Sequence, residues 1–161
     1  MKNSLIKIDR EFRLHWKQYA LQSVMATGAL FIVLYFLNWQ HAVVIASLGA
    51  TSFIVFAMPD NITAQPRNVI GGHIVGLLCG FLFSLIPHVT FHFGLLIYSL
   101  AVGTSLFLMV VTDTEHPPAA GTALGVVMPG ISLQVIVVVV ASIIILSVIH
   151  RILKPYLRDL T

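Results

Sequence analysis

Two short stretches of this sequence hold most of the residues able to do chemistry. The first runs from Asp60 through Gln65-Pro66-Arg67-Asn68, and the second is Asp113-Thr114-Glu115-His116-Pro117-Pro118. Proline at the first turn of a helix loses no hydrogen bond and its fixed φ suits helix entry, so Pro66 and Pro117-Pro118 read as helix starts. A helix start carries unpaired N–H groups and a partial positive charge, which favour an anion. Arg67 adds a planar cation with a fork of donors, and His116 adds a donor that protonation can switch. Asp113 and Glu115 would repel an anion if both were charged. Either they pair with Arg67 and His116, or at least one takes up a proton; a cation site is the other way to use them.

The two stretches belong to a repeat. Thr51-Ser52 is followed by seven residues to Asp60, and Thr104-Ser105 by seven residues to Asp113. In each copy an apolar helix meets an acid, turns and restarts at proline, the pattern of interrupted helices that points to a transporter's central site. Gly71, Gly72 and Gly121 would allow close backbone approach there, and Thr122 follows in the same stretch. Gly72, Gly76 and Gly80 form a small-residue stripe that reads first as a packing face, within or between chains. His73 lies beside it, and an intramembrane histidine is a candidate for function or for a structural hydrogen bond.

Blander readings stand beside these. His116 and its prolines could only shape a turn. Arg67 could be a topology determinant paired with Asp60. His41, His88 and His92 suggest zinc, but a turn at Pro87 and the lack of a fourth ligand argue against it, so no metal is expected. No nucleophile elbow, phosphate loop or metallohydrolase pair occurs. No catalytic residue and no cofactor are expected, and the chain reads as not an enzyme.

The elements that must position these residues are written in the composition. Of 161 residues 58% are hydrophobic and 9% charged, with a mean hydropathy of +0.95. A soluble domain carries about 25% charged residues, so the bilayer is the expected solvent. Apolar runs cover residues 20–37, 41–59, 69–87, 93–112, a short one at 117–128, and 131–150. The long runs approach the ~20 residues needed to cross about 30 Å of hydrocarbon. The short one would rise only ~18 Å and must start or stop within the membrane or open onto a wet cavity.

The fold class expected is therefore all-α: a polytopic transmembrane bundle of about six spans, the fifth short, built on two Pro-interrupted repeats. The nine Lys and Arg residues fall in the N-terminal segment, at Arg67, and at Arg151, Lys154 and Arg158. Six crossings place all nine on one side, which the positive-inside rule makes cytoplasmic. Both termini are then cytoplasmic, and the expected location is a bacterial cytoplasmic membrane. Residues 1–17 read as an amphipathic interfacial segment rather than a signal peptide, 18–150 as the transmembrane domain and 151–161 as a basic tail. Trp16 and Trp39 suit interfacial anchoring. The net charge of +3 belongs to the membrane surface, not to nucleic acid. Lone Cys79 makes no disulfide framework.

The stretch Thr112 to Gly125, containing His116-Pro117-Pro118, resembles the signature of the HPP family of small integral membrane proteins. The stretches Ser47 to Ser52, Pro59 to Asn68 and Gly71-Gly72-His73 are similar to a second block of that family, so the resemblance covers about residues 15–150. It implies a transporter-like protein, some family members being described as moving nitrite. It also implies four spans, against the six that the charges give. The expected function is passage of a small inorganic anion, nitrite first, with proton linkage open. A chain this short has few helices to enclose a path, so self-association is expected. The rivals are a non-transporting assembly or anchoring protein, and a channel for a neutral solute or a cation. The six-span reading predicts that a cysteine replacing Lys154 is labelled only from the cytoplasmic side; labelling from outside intact cells would overturn it.

Overall fold

The computed structural model describes residues 2–36, 41–87 and 89–160, so Trp39 and His88 lie outside the described residues. The described residues form six α-helices: α1 Lys2–Phe36, α2 Ala42–Ala57, α3 Pro66–Ser84, α4 Phe91–Val111, α5 Pro118–Val127 and α6 Leu133–Leu153. The protein is an all-α membrane bundle. Among the described residues α3, α4 and α6 with its 3-10 extension to Tyr156 are long and apolar enough to cross a bilayer, and α2 and α5 are shorter apolar helices. The amphipathic segment and the first apolar run are one helix of 35 residues. At ~1.5 Å per residue it is about 52 Å long, more than the hydrocarbon can hold, so part of it must stand clear of the membrane core.

Proline sets two of the starts. Pro66 and Pro118 occupy the first turns of α3 and α5, as their fixed φ favours. Side-chain caps set two others: Thr90 accepts from the Phe93 N–H at 3.2 Å and Ser132 from the Val135 N–H at 3.2 Å. The end of α4 is a Schellman turn, with the Asp113 N–H bonded to the Val110 carbonyl and the Thr114 N–H to the Met109 carbonyl. Asp113 takes the left-handed position with φ +54°, which aspartate tolerates better than most residues.

The surface is apolar where a soluble protein's would be polar. Leu78, Leu82, Phe91, Phe107, Val110 and Leu133 are all exposed, as lipid-facing residues should be. The short α5 lies inside, packed against α2, α3 and α4. Its buried face includes Ala119, Thr122, Ala123, Val126 and Val127.

At the C-terminal end of α2, the last carbonyls find partners from distant elements. Gln22 of α1 donates to the Phe56 carbonyl, the Leu160 N–H to that of Ala57 at 2.9 Å, and His150 Nε2 of α6 to that of Pro59 at 2.8 Å. Asp60 pairs with Lys154 at 3.7 Å, so it is not the partner of Arg67. A buried helix-end carbonyl loses its water, which is why these contacts matter. We predict that Gln22→Ala, which strips the Phe56 carbonyl of its side-chain donor, lowers unfolding stability by about 1–3 kcal/mol. Ser99→Ala, at an exposed hydroxyl bonded to its own helix, should change it by less than about 0.5 kcal/mol. Thermal unfolding in detergent measures both.

Candidate functional site

Close backbone approach creates the site. A β-carbon placed on Gly72 would lie 2.7 Å from His116 Cβ, and one on Gly80 2.7 Å from the Ala123 carbonyl oxygen. On Gly76 it would run into the Ala119 carbonyl. The contacts pair increasing numbers with increasing numbers, so α3 and α5 run parallel, and α5 starts beside Gly76, more than two turns into α3. From the other side, α2 packs antiparallel: a β-carbon on Gly125 would lie 2.6 Å from Val44, and one on Gly121 3.2 Å from Ser47. The glycine stripe is thus used inside the chain, to seat α5.

Five buried side chains meet where these three helices touch. Ser47 and Thr51 are one turn apart on α2, His73 is two turns into α3, His116 lies two residues before α5, and Thr122 lies within it. All but Ser47 have no exposed surface. Thr51 Oγ1 is 2.9 Å from Nε2 of both histidines. Thr122 Oγ1 is 2.8 Å from His73 Nδ1 and 2.8 Å from Ser47 Oγ. His116 Nδ1 reaches the Thr63 carbonyl at 2.8 Å, and Ser47 Oγ donates to the Pro118 carbonyl. The rings stand 5.1 Å apart between centroids, tilted by 51°. The chain of contacts thus runs from the Pro118 carbonyl through Ser47, Thr122, His73, Thr51 and His116 to the Thr63 carbonyl, and contains no carboxylate.

Charged groups lie at the rim instead. Arg67 Nη1 is 2.7 Å from Asp113 Oδ2, both side chains being more than 60% exposed, and Arg67 Nη2 donates to the Thr112 carbonyl at 3.2 Å. Asp113 therefore does pair with Arg67, whereas both nitrogens of His116 are engaged inside the network. Asn68 closes the rim by donating to the Glu115 carbonyl at 3.1 Å, and Gly71 packs against Thr114.

Of the residues singled out in the sequence, the structure brings together Thr51, His73, His116, Pro118, Thr122, Gly72 and Gly121. Around them at the rim it places Pro66, Arg67, Asn68, Gly71 and Asp113, with exposed Pro117 alongside. Gln65 contributes its backbone carbonyl as the N-cap of α3. Ser52 and Ser105 bond carbonyls of their own helices, those of Leu48 and Val102, and Thr104 is half-buried away from the network. Ser47 was not singled out. Its spacing of four from Thr51, which puts both on one helix face, was the available signal. The Thr63 carbonyl, a backbone group in a 3-10 turn, left no signal in residue type.

The model of the HPP transmembrane region matches residues 12–157. The chain belongs to the HPP family. Two curated relatives are transmembrane proteins of Dictyostelium discoideum. One is 37% identical over 92 residues, covering 57% of this chain and 32% of the relative. The other is 33% identical over 84 residues, covering 52% of this chain and 27% of the relative. The chain thus spans less than a third of the length of these relatives. No solved structure matches. In this HPP protein the tripeptide His116-Pro117-Pro118 is a structural joint: the histidine faces inward to Thr51 and the second proline starts α5.

If the glycine contacts seat α5, a methyl group at the tightest of them must push the helices apart. We predict that Gly76→Ala destabilises the fold by about 1–3 kcal/mol, despite alanine's better helix propensity. Gly103→Ala, with open space around it, should be neutral or slightly stabilising. Thermal unfolding of the two variants in detergent makes the comparison.

Proposed function

We propose that this HPP protein moves a small inorganic anion across a bacterial cytoplasmic membrane, nitrite being the leading candidate, and that the passage is proton-linked. The observation that carries the reading is the buried, carboxylate-free pair His73 and His116 beside the start of α5. Ionisable side chains at membrane depth are costly and usually functional. Here the electrostatic surroundings suit a negative guest: the positive end of the α5 dipole lies beside His116, and an imidazole is the buried side chain that can take up a proton. Arg67 supplies a guanidinium at the rim, where an incoming anion competes with Asp113 for its donors.

In this reading Gly71, Gly72 and Gly121 keep the backbones close enough for the hydroxyl and imidazole groups to act together, and the basic termini and rim face the cytoplasm. Oligomer formation would complete the enclosure. Because α5 occupies the glycine stripe, another face would join the protomers. A second reading, an assembly or anchoring protein without flux, draws on one observation: all five network side chains are already paired within the chain.

Flux into liposomes decides between them. Reconstituted protein should pass nitrite faster than empty vesicles. His116→Ala should slow the protein-dependent part by about tenfold or more, equivalent to ~1.4 kcal/mol or more on the barrier, with helix content intact. Equal rates in all three preparations would remove the transport reading and leave the assembly role. A panel of cations and neutral solutes in the same assay tests the channel alternative.

A further inference from the structure

The hydrogen count of the buried chain limits what it can do. Between the Pro118 and Thr63 carbonyls there are six contacts in series, each of 2.9 Å or less. The two carbonyls can only accept. With both rings neutral, the five side chains bring five hydrogens, one each. Five hydrogens fill five of six contacts, so one contact always lacks a proton. Thr51 has a further acceptor, the carbonyl of Ser47 at 3.1 Å, its longest contact. Turning toward it leaves a second of the six contacts without a hydrogen.

Where the deficit lies is set by simple turns. A hydroxyl rotates; an imidazole must exchange its proton between Nδ1 and Nε2. When Ser47 points to the Pro118 carbonyl and every later group points the same way, His116 presents a bare Nδ1 to the Thr63 carbonyl. Two electron-rich atoms then face each other at 2.8 Å. When all the groups point the other way, the Thr63 contact is made and the deficit moves to the Pro118 end.

We infer that His73 and His116 act as one acceptor that takes up a single proton, shared through Thr51. The added proton forms an N–H bond at the bare Nδ1 of His116, and the donor is a hydronium ion arriving from the rim, where Thr63 is half-buried. All six contacts are then filled and one ring is an imidazolium. Shifts of hydrogen through Thr51 pass the charge between the rings, and release to water reverses the uptake. A second proton would set two cations on rings 5.1 Å apart, which like-charge repulsion in a dry core opposes.

The surroundings hold no competing group within the chain of contacts. Against the rings α2 supplies Thr51 and α5 Thr122, with Met109 of α4 lying against Gly72, and none of these forms a charge at ordinary pH. Among the charged residues at the rim, Arg67 and Asp113 are exposed and paired, and half-buried Glu115 offers its backbone carbonyl to Asn68. Resting on the transport reading, one proton on this pair is the charge needed to neutralise one monovalent anion.

The test is nitrogen-15 NMR of histidine-labelled protein in lipid vesicles, titrated from alkaline to acid pH with helix content checked by circular dichroism. In the unmodified protein both rings should change together and gain one proton in total. Thr51→Val should uncouple them, so that one ring changes alone, and Thr51→Ser, which keeps the hydroxyl, should restore the joint response. Rings that stay neutral throughout, that gain a full proton each, or that remain coupled in Thr51→Val would overturn the inference. Vesicles that show the shared proton but no nitrite flux would leave the inference standing and remove the transport reading.

Discussion

The structure depends on how closely two backbones can pass α5. In lipid, apolar side chains gain little by leaving one hydrocarbon surface for another, so helices associate through tight van der Waals packing and through polar groups that must find partners. A ten-residue helix is too short to line the full hydrocarbon thickness by itself and offers few side chains for packing. Glycine solves this on both sides. Gly72, Gly76 and Gly80 let the α5 backbone lie against α3, while Gly121 and Gly125 on α5 itself let α2 come in. Larger residues at those positions would hold the helices apart. His116 and Thr122 would then no longer reach Thr51, His73 and Ser47, and their polar atoms would be stranded in an apolar core.

The same solvent sorts the polar groups by charge. The five neutral side chains of the network occupy the centre, where each has a partner at hydrogen-bond distance, and a neutral network is far less costly to bury than an ion pair. The ion pairs Arg67–Asp113 and Lys154–Asp60 sit at exposed helix ends. Histidine is the one side chain in the centre that can cross from one class to the other, so the location of His73 and His116 gives the protein a charge that can be absent or present.

Much of this was legible in the sequence, for reasons that differ by element. The apolar runs gave α2 through α6 because lipid-facing helices are apolar almost throughout, and Pro66 and Pro118 marked two starts because proline's φ is fixed. The stripe of Gly72, Gly76 and Gly80 revealed a packing face but not its occupant, since spacing on one helix says nothing of what lies across from it. The repeat misleads at side-chain level. Thr51-Ser52 and Thr104-Ser105 match in sequence, yet only Thr51 joins the network. The reason is the unequal packing of α5: α2 meets it through Ser47, while α4 meets it through apolar residues, Ile97 and Ala101 clustering with Val127 of α5. Ser47 escaped notice because one serine in an apolar helix normally bonds its own backbone. Its role comes from a helix 71 residues further along the chain.

Asp113 shows how one residue can join turn chemistry to the site. The left-handed position that ends α4 is usually filled by glycine, which carries no β-carbon penalty there. Glycine would make the turn equally well but would leave Arg67 without its carboxylate. Aspartate is among the residues that tolerate this conformation, and it places that carboxylate 2.7 Å from the guanidinium at the start of α3. One residue thus ends α4 and ties that end to α3. The tie matters because the segment it anchors, Thr114 to His116, must cross directly over Gly71 and Gly72 for the imidazole to enter the core. Arg67 is therefore bound in a structural pair, and its attraction for an anion is tempered by that partner. The buried histidines have no such counter-charge within the network, and a proton placed on them would be the least compensated positive charge among the described residues of the core.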